Sequence, residues 1–157
     1  MNIEFRKDDL SDGSIESLLN SHLQEMYKYS PPESVHALDS QKLTDPSVTF
    51  WAARIDGKLA GCGALKELTQ STGEIKSMKT HDKYLRKGIA GKLLEEIIKE
   101  AEKLSYTDIF LETGSNKAFN PAIALYKKFG FLECGPFGEY ENDPYSKFLT
   151  KKLSASA

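Results

Sequence analysis

One stretch constrains the fold more than any other. Ile89, Leu93, Ile97 and Ala101 recur at steps of four, with Leu94, Ile98 and Leu104 beside them, so this segment forms an amphipathic helix that covers a sheet. On its polar side Glu95 lies four residues before Lys99, a stabilising helical pair. Two β-rich runs flank the helix, "GEIKSMKT" at 73–80 and "DIFLET" at 108–113. A strand, a crossing helix and a second strand of this length pack as a right-handed parallel crossover, which makes the chain an α/β domain.

The remaining segments extend that unit. "NIEFR" (2–6) alternates as a strand, and from Leu10 the positions Leu10, Ile15, Leu18, Leu19, Leu23 and Met26 follow helical spacing behind Ser11 or Asp12 as N-cap. "SPPES" (30–34) ends that helix, because proline pins φ and drives the residue before it out of the α region. A short helix over "SVHALDSQKL" (34–43) is expected next. "SVTFWAARI" (47–55) and "KLAGCGALKEL" (58–68) are strands joined at Asp56-Gly57, a hairpin signal, with Trp51 filling core. "NPAIALYKKFGF" (120–131) is a helix with Pro121 in its first turn and Gly130 as C-cap. "SKFLTKKL" (146–153) closes the sheet. The chain thus reads as a single domain over 1–153 with "SASA" (154–157) as a loose tail.

Composition excludes several classes. A net charge of −2 gives no global field that would draw the chain to nucleic acid or an anionic membrane. Apolar runs of only a few residues leave nothing to span a bilayer, and "MNIEFRKDDL" lacks the apolar core of a signal peptide. Cys62, Cys134 and the scattered histidines supply neither a disulfide framework nor metal-ligand spacing. A cytoplasmic protein without a metal is expected.

Charge placement at the start of the central helix is unusual. Residues 76–92 hold Lys76, Lys79, Lys83, Arg86, Lys87 and Lys92 against one acid, Asp82. A helix N-terminus already carries partial positive charge on its unpaired N–H groups, so cations there are unfavourable unless an anion joins them. Gly88 permits close backbone approach and an otherwise strained φ. The P-loop pattern is absent, and "GCGALK" (61–66) lies mid-strand, where its glycines mark a bulge or close packing instead of a dinucleotide fingerprint.

These residues resemble the GNAT superfamily of acetyl-CoA-dependent N-acetyltransferases. The family's [QR]-x-x-G-x-[GA] loop matches Leu85-Arg86-Lys87-Gly88-Ile89-Ala90, and the likeness runs on through "IFLETGS" to "PAIALYKKFGF" in the family's order and spacing. Leu85 stands where the family usually has Gln or Arg, and Phe119 where its helix usually has Asn, so those two side-chain contacts do not carry over. The resemblance implies a single-domain fold with a mixed, mostly antiparallel central sheet and helices on both faces. It also implies acetyl-CoA as cosubstrate, with its pyrophosphate on the backbone N–H groups of Arg86, Lys87, Gly88, Ile89, Ala90 and Gly91. Met78, Lys79 and Thr80 would offer backbone groups to the pantetheine arm as one more strand does.

Acetyl transfer to an amine needs a proton acceptor, polarisation of the thioester carbonyl and a donor for the departing thiolate. Tyr126 matches the family tyrosine that serves the leaving sulfur, and its phenol is a donor at neutral pH. Glu74, at the start of the strand before the loop, is the candidate general base; strand alternation puts Glu74, Lys76, Met78 and Thr80 on one side. Glu112 is the alternative, because a carboxylate inside an apolar strand needs a reason. Cys134 is read as a packed thiol and His81 as a surface histidine.

In this family the N-terminal helices and the loop before the last strand wall the acceptor side. Here they contribute Tyr27, Tyr29, His36, Phe137, Tyr140 and Tyr145, with Glu33, Asp39, Glu139, Glu141 and Asp143 among them. His36 and Tyr140 are the candidate acceptor contacts, and the expected partner is a small primary amine, cationic before reaction. A peptide or protein lysine is the alternative acceptor, and a non-catalytic acyl-CoA sensor or a nucleotide-phosphate binder the alternative functions. A homodimer fits the resemblance; nucleic acid and membrane are not expected partners.

Overall fold

The computed structural model describes residues 2–36 and 44–153. Seven strands form one sheet: β1 (Ile3–Asp8), β2 (Val48–Ile55), β3 (Lys58–Thr69), β4 (Thr72–Thr80), β5 (Asp108–Gly114), β6 (Leu132–Cys134) and β7 (Ser146–Lys152). Their order is β1-β2-β3-β4-β5-β7-β6. Only β4 and β5 run parallel, and the helix joining them, α2 (Ile89–Lys103), is the crossover the sequence predicts. The other helices are α1 (Ser14–Tyr29) and α3 (Asn120–Lys128).

Strand period sorts the core onto two faces. Trp51, Ala53 and Ile55 of β2 pack with Leu93, Leu94 and Ile97 of α2, while Phe50 and Ala52 turn to the other face, against Ile15 and Leu18 of α1. Helices therefore cover both faces, as expected. The Asp56-Gly57 hairpin has φ of 51° and 84°, the double positive φ of the turn type that matches strand twist.

Two expectations change, and a third falls mostly on residues that are not described. Helix α1 starts at Ser14 with Gly13 as its N-cap, not Ser11 or Asp12, and Leu10 lies outside it. The carboxylates of Asp8 and Asp9 instead accept the Leu10 and Ser11 N–H groups at 2.7 and 3.0 Å, local turns that compete with helix, and Leu10 takes a φ of 67°. Helix α3 stops at Lys128 rather than Phe131; Gly130 (φ 96°) follows its end, where the Gly130 N–H donates to the Lys127 carbonyl and the Phe131 N–H to the Tyr126 carbonyl. The helix expected over 34–43 lies outside the described residues from 37 onward; Pro32–Ser34 forms a 3-10 turn and Val35 and His36 are irregular. The tail at 154–157 and Asp39 also lie outside. No described helix is long and apolar enough to cross a membrane.

Candidate active site

A bulge in β4 builds the site. Cys62 pairs with Lys79 but Ala64 pairs with Lys76, so Ser77 and Met78 together face Gly63, and Ser77 takes a φ of 60°. The extra residue breaks the alternation that the sequence implied. Glu74 and Lys76 keep one face, but Met78 crosses to the α2 core, where a Cβ on Gly63 would collide with its Sδ and lie 2.9 Å from Ile97 Cδ1. Lys79 then points to α1, donating to Glu25 Oε2 at 2.7 Å. The mid-strand glycine is thus a close-packing position at a bulge, as read.

Beyond the bulge β4 and β5 part. Their pairing ends at Ile75 and Leu111, although β4 runs to Thr80 and β5 to Gly114. Two clefts meet in the gap. A small one of about 110 Å³ is lined by Glu74 and Lys76 of β4, Glu112 of β5, and His36. A longer one of about 470 Å³ runs past Met78, Lys79 and Thr80 to Arg86, Gly88, Ile89, Ala90 and Gly91. Both are lined by His22, Met26, Met78, Phe119, Ala122 and Tyr126, which form the junction.

At the far end of the long cleft, α2 begins after Gly88 (φ 78°) and carries no acid in its first turn. Its first N–H groups point outward unpaired by the helix, and Arg86, itself at φ 63°, stands beside them. A Cβ on Gly88 would meet nothing within 4 Å, so the glycine serves backbone conformation and open approach, not packing. Lys87 does not line the cleft. Of the other cations in the run, Lys76 pairs with Glu74, Lys79 with Glu25 and Lys92 with Glu95, so the local positive charge is smaller than the sequence suggests.

Tyr126 projects from α3 into the junction. The two bonds around Gly130 fix the helix end, and Phe131 packs edge-on against the Tyr126 ring at 5.8 Å between centroids. Burial pushes its phenol up to about 12, so it stays a donor at neutral pH.

The small cleft is built from side chains. Glu74 is 3% exposed, and its Oε2 accepts from the Tyr140 hydroxyl at 2.5 Å and from Lys76 Nζ at 3.2 Å. Lys76 Nζ also donates to the Tyr140 oxygen at 2.9 Å and to the His36 carbonyl at 3.2 Å, which uses all three of its protons. Tyr140 is wedged by His36, Phe137 and Phe148, with centroids at 5.0, 4.9 and 5.5 Å. It therefore stands behind Glu74, outside the cleft lining, while His36 lines it. Glu112 accepts from Ser146 Oγ at 2.7 Å, and burial lifts its carboxyl to about 7 against the opposing pull of that bond and of Lys76.

The remaining aromatic candidates disperse. Tyr29 lines the long cleft, Phe137 is buried against Phe110 and Phe148, and Tyr27 and Tyr145 are exposed away from both clefts. Asp143 accepts from Ser34 Oγ at 2.5 Å and ties the segment after α1 to the loop before β7. Glu33, Glu139 and Glu141 line neither cleft. Trp51 is buried, Cys134 is half-buried, and His81 Nδ1 accepts the Lys83 N–H in the turn before α2. Sequence reasoning missed His22, which sits among the helical apolar positions of α1 and carries no local signal.

The comparisons with known proteins converge on the same architecture. Residues 15–131 match the model of the "Acetyltransferase (GNAT) family". The chain is 54% identical over 146 residues to the uncharacterized N-acetyltransferase YsnE of Bacillus subtilis, covering 93% of this chain and 97% of that one. It is 44% identical over 148 residues to the uncharacterized N-acetyltransferase YedL of Escherichia coli, covering 94% and 93%. The crystal structure of a GNAT family acetyltransferase from Elizabethkingia anophelis with acetyl-CoA bound superimposes with a TM-score of 0.71 over 97% of this chain and 99% of that one, at 23% identity. A parted β4–β5 pair, an acid-free glycine-led helix and a family match over that whole region identify this chain as a member of the Acetyltransferase (GNAT) family.

Proposed function

We propose that this N-acetyltransferase moves the acetyl group of acetyl-CoA directly onto a primary amine of a small molecule, with both substrates bound together. The observation that carries the reading is the junction at Tyr126, where a cleft of about 470 Å³ leading from the α2 N-terminus meets one of about 110 Å³ lined by carboxylates. The long cleft suits CoA. Its helix amides would receive the pyrophosphate with Arg86 beside them, and the open edge of β4 at Met78–Thr80 would receive the extended pantetheine arm.

The small cleft suits an amine that arrives protonated. Glu74, which accepts from Lys76 at 3.2 Å, offers a carboxyl group to the ammonium. Glu112 supports the base role best, because a group titrating near 7 takes a proton at neutral pH without holding it too tightly. The free amine adds to the thioester carbon, the intermediate collapses with loss of the thiolate, and the Tyr126 hydroxyl donates to that sulfur. This reading assigns the proton to Glu112 over Glu74 and a binding role to Glu74.

The small volume supports a small amine over a peptide segment. The test is CoA thiol release from acetyl-CoA with a panel of small primary amines beside lysine-containing peptides. Small amines should turn over, with a Tyr126→Phe variant slower by ~10²-fold at unchanged CoA affinity. Turnover of peptides alone would overturn the acceptor class, and tight CoA binding with no turnover of any amine would favour a sensor.

A further inference from the structure

His22 has an unusual position that the reaction as described does not use. It sits on α1 at the junction of the two clefts and, like Tyr126, lines both. Its Nδ1 is sealed from solvent and has no hydrogen-bond partner among the described residues. A buried N–H without an acceptor is the rarer and costlier orphan, so the proton of the neutral ring resides on Nε2. Since Nδ1 is sealed while the residue lines the clefts, the edge that faces them is the one bearing Nε2–H. The charged groups around the ring are Lys79 and Glu25, already paired with each other, while Glu74, Lys76 and Glu112 line the small cleft. Burial and the Lys79 charge push the imidazole down to about 4, so it remains a neutral donor throughout the working range.

We infer that His22 is an electrophilic catalytic residue whose Nε2–H donates to the thioester carbonyl oxygen and stabilises the oxyanion formed on acyl transfer. The inference rests on the reading that the junction holds the thioester. In the step, the amine lone pair forms the C–N bond while the carbonyl π pair moves to oxygen, where Nε2–H meets it. The pair then returns, the C–S bond breaks with its electrons on sulfur, and the amine proton passes to Glu112. Tyr126 supplies a proton to the thiolate and is restored by solvent. His22 neither gains nor loses a proton. A neutral imidazole serves this purpose better than an imidazolium, because it needs no charge to be maintained in a desolvated site.

The experiment compares wild type with His22→Leu and His22→Gln, the second keeping an N–H donor near the Nε2 position. Acetyl-CoA affinity is measured by calorimetry, kcat with the best amine across pH, and the carbonyl stretch of bound 13C-labelled acetyl-CoA by infrared spectroscopy. His22→Leu should lose ~10²–10³-fold in kcat at nearly unchanged acetyl-CoA affinity, and His22→Gln should recover at least tenfold of that loss. The stretch should fall below its solution value in wild type and return towards it in His22→Leu. Full activity in His22→Leu, an unshifted stretch in wild type, or loss of a titrating limb from the pH profile would overturn the inference. If wild type itself failed to bind acetyl-CoA, the reading of the cleft would fall first.

Discussion

The two clefts are made of different material. The long one offers backbone at its far end and along β4: unpaired amides at the start of α2, a glycine at φ 78° and an open strand edge. The small one is a set of side chains, Glu74 and Lys76 of β4 and Glu112 of β5, held from behind by Tyr140, which bonds Glu74 and Lys76, and by Ser146, which bonds Glu112. A backbone site tolerates side-chain changes and fails when its dihedrals do. A side-chain site should show the opposite sensitivity, which suits a fold that keeps one cosubstrate and varies its acceptor.

Lys76 gives the hardest test of that contrast. Its ammonium holds Glu74 and Tyr140 together while its side chain is 10% exposed. Lys76→Met leaves the Glu74 charge buried without its partner, so the protein should lose ~3 kcal/mol, with a Tm lower by ~6–12 °C. The amine KM should rise while CoA affinity stays within about twofold. Adding Glu74→Gln should restore most of the melting temperature but not the amine KM. A Lys76→Met protein as stable as wild type would mean the pair is solvated.

Gly88 tests the other half. A β-branched residue at φ 78° is strained, and its side chain would project where an anion approaches. Gly88→Val should weaken CoA binding at least tenfold, a loss of ~1.4 kcal/mol, measured by calorimetry on folded protein. Gly88→Asn, which tolerates positive φ, should lose less, and Lys87→Ala little, since Lys87 stands outside the cleft. If Lys87→Ala cost more than Gly88→Val, side chains and not backbone would hold the ligand.

The same difference explains what was legible in the sequence. The helix stripe, the glycine and the cations are neighbours in the chain, so one window of residues announces the long cleft, and the family resemblance starts there and runs on through "IFLETGS" to "PAIALYKKFGF". The small cleft joins residues 36, 74, 76 and 112, with Tyr140 behind them, and only the folded sheet brings these together. The hydrogen bond by which Tyr140 backs Glu74 spans 66 positions of the chain, so no local window shows it. Alternation failed at Ser77 because a bulge has no local marker beyond Gly63, whose missing side chain makes room for Met78. His22 was invisible because a lone histidine in a helical pattern acquires meaning only from what faces it. At α1 the turn chemistry of Asp8 and Asp9 was written in the sequence but outweighed there by the apolar spacing.

The smallest expected effect concerns Glu112 and discriminates between the two carboxylates. Burial raises its pKa from 4.5 to about 7. Between those values the folded protein keeps a proton that the unfolded chain releases, so this group's contribution to stability falls as pH rises through the window. Below it both states are protonated and no penalty exists; above it the full penalty is present. Glu112→Gln keeps an acceptor for Ser146 Oγ and cannot ionise. It should therefore gain on the order of 1 kcal/mol over wild type near pH 8, after allowance for its contact with the open cleft, and little near pH 5. Thermal melts at both pH values would read this as a gain of a few degrees at the higher pH alone. The same variant should lose the ascending limb of kcat/KM, because a base titrating near 7 sets it. A variant with the wild-type stability difference between the two pH values would show Glu112 ionising as it does in water. The proton would then go to Glu74, and the small cleft would be less desolvated than its side-chain packing implies.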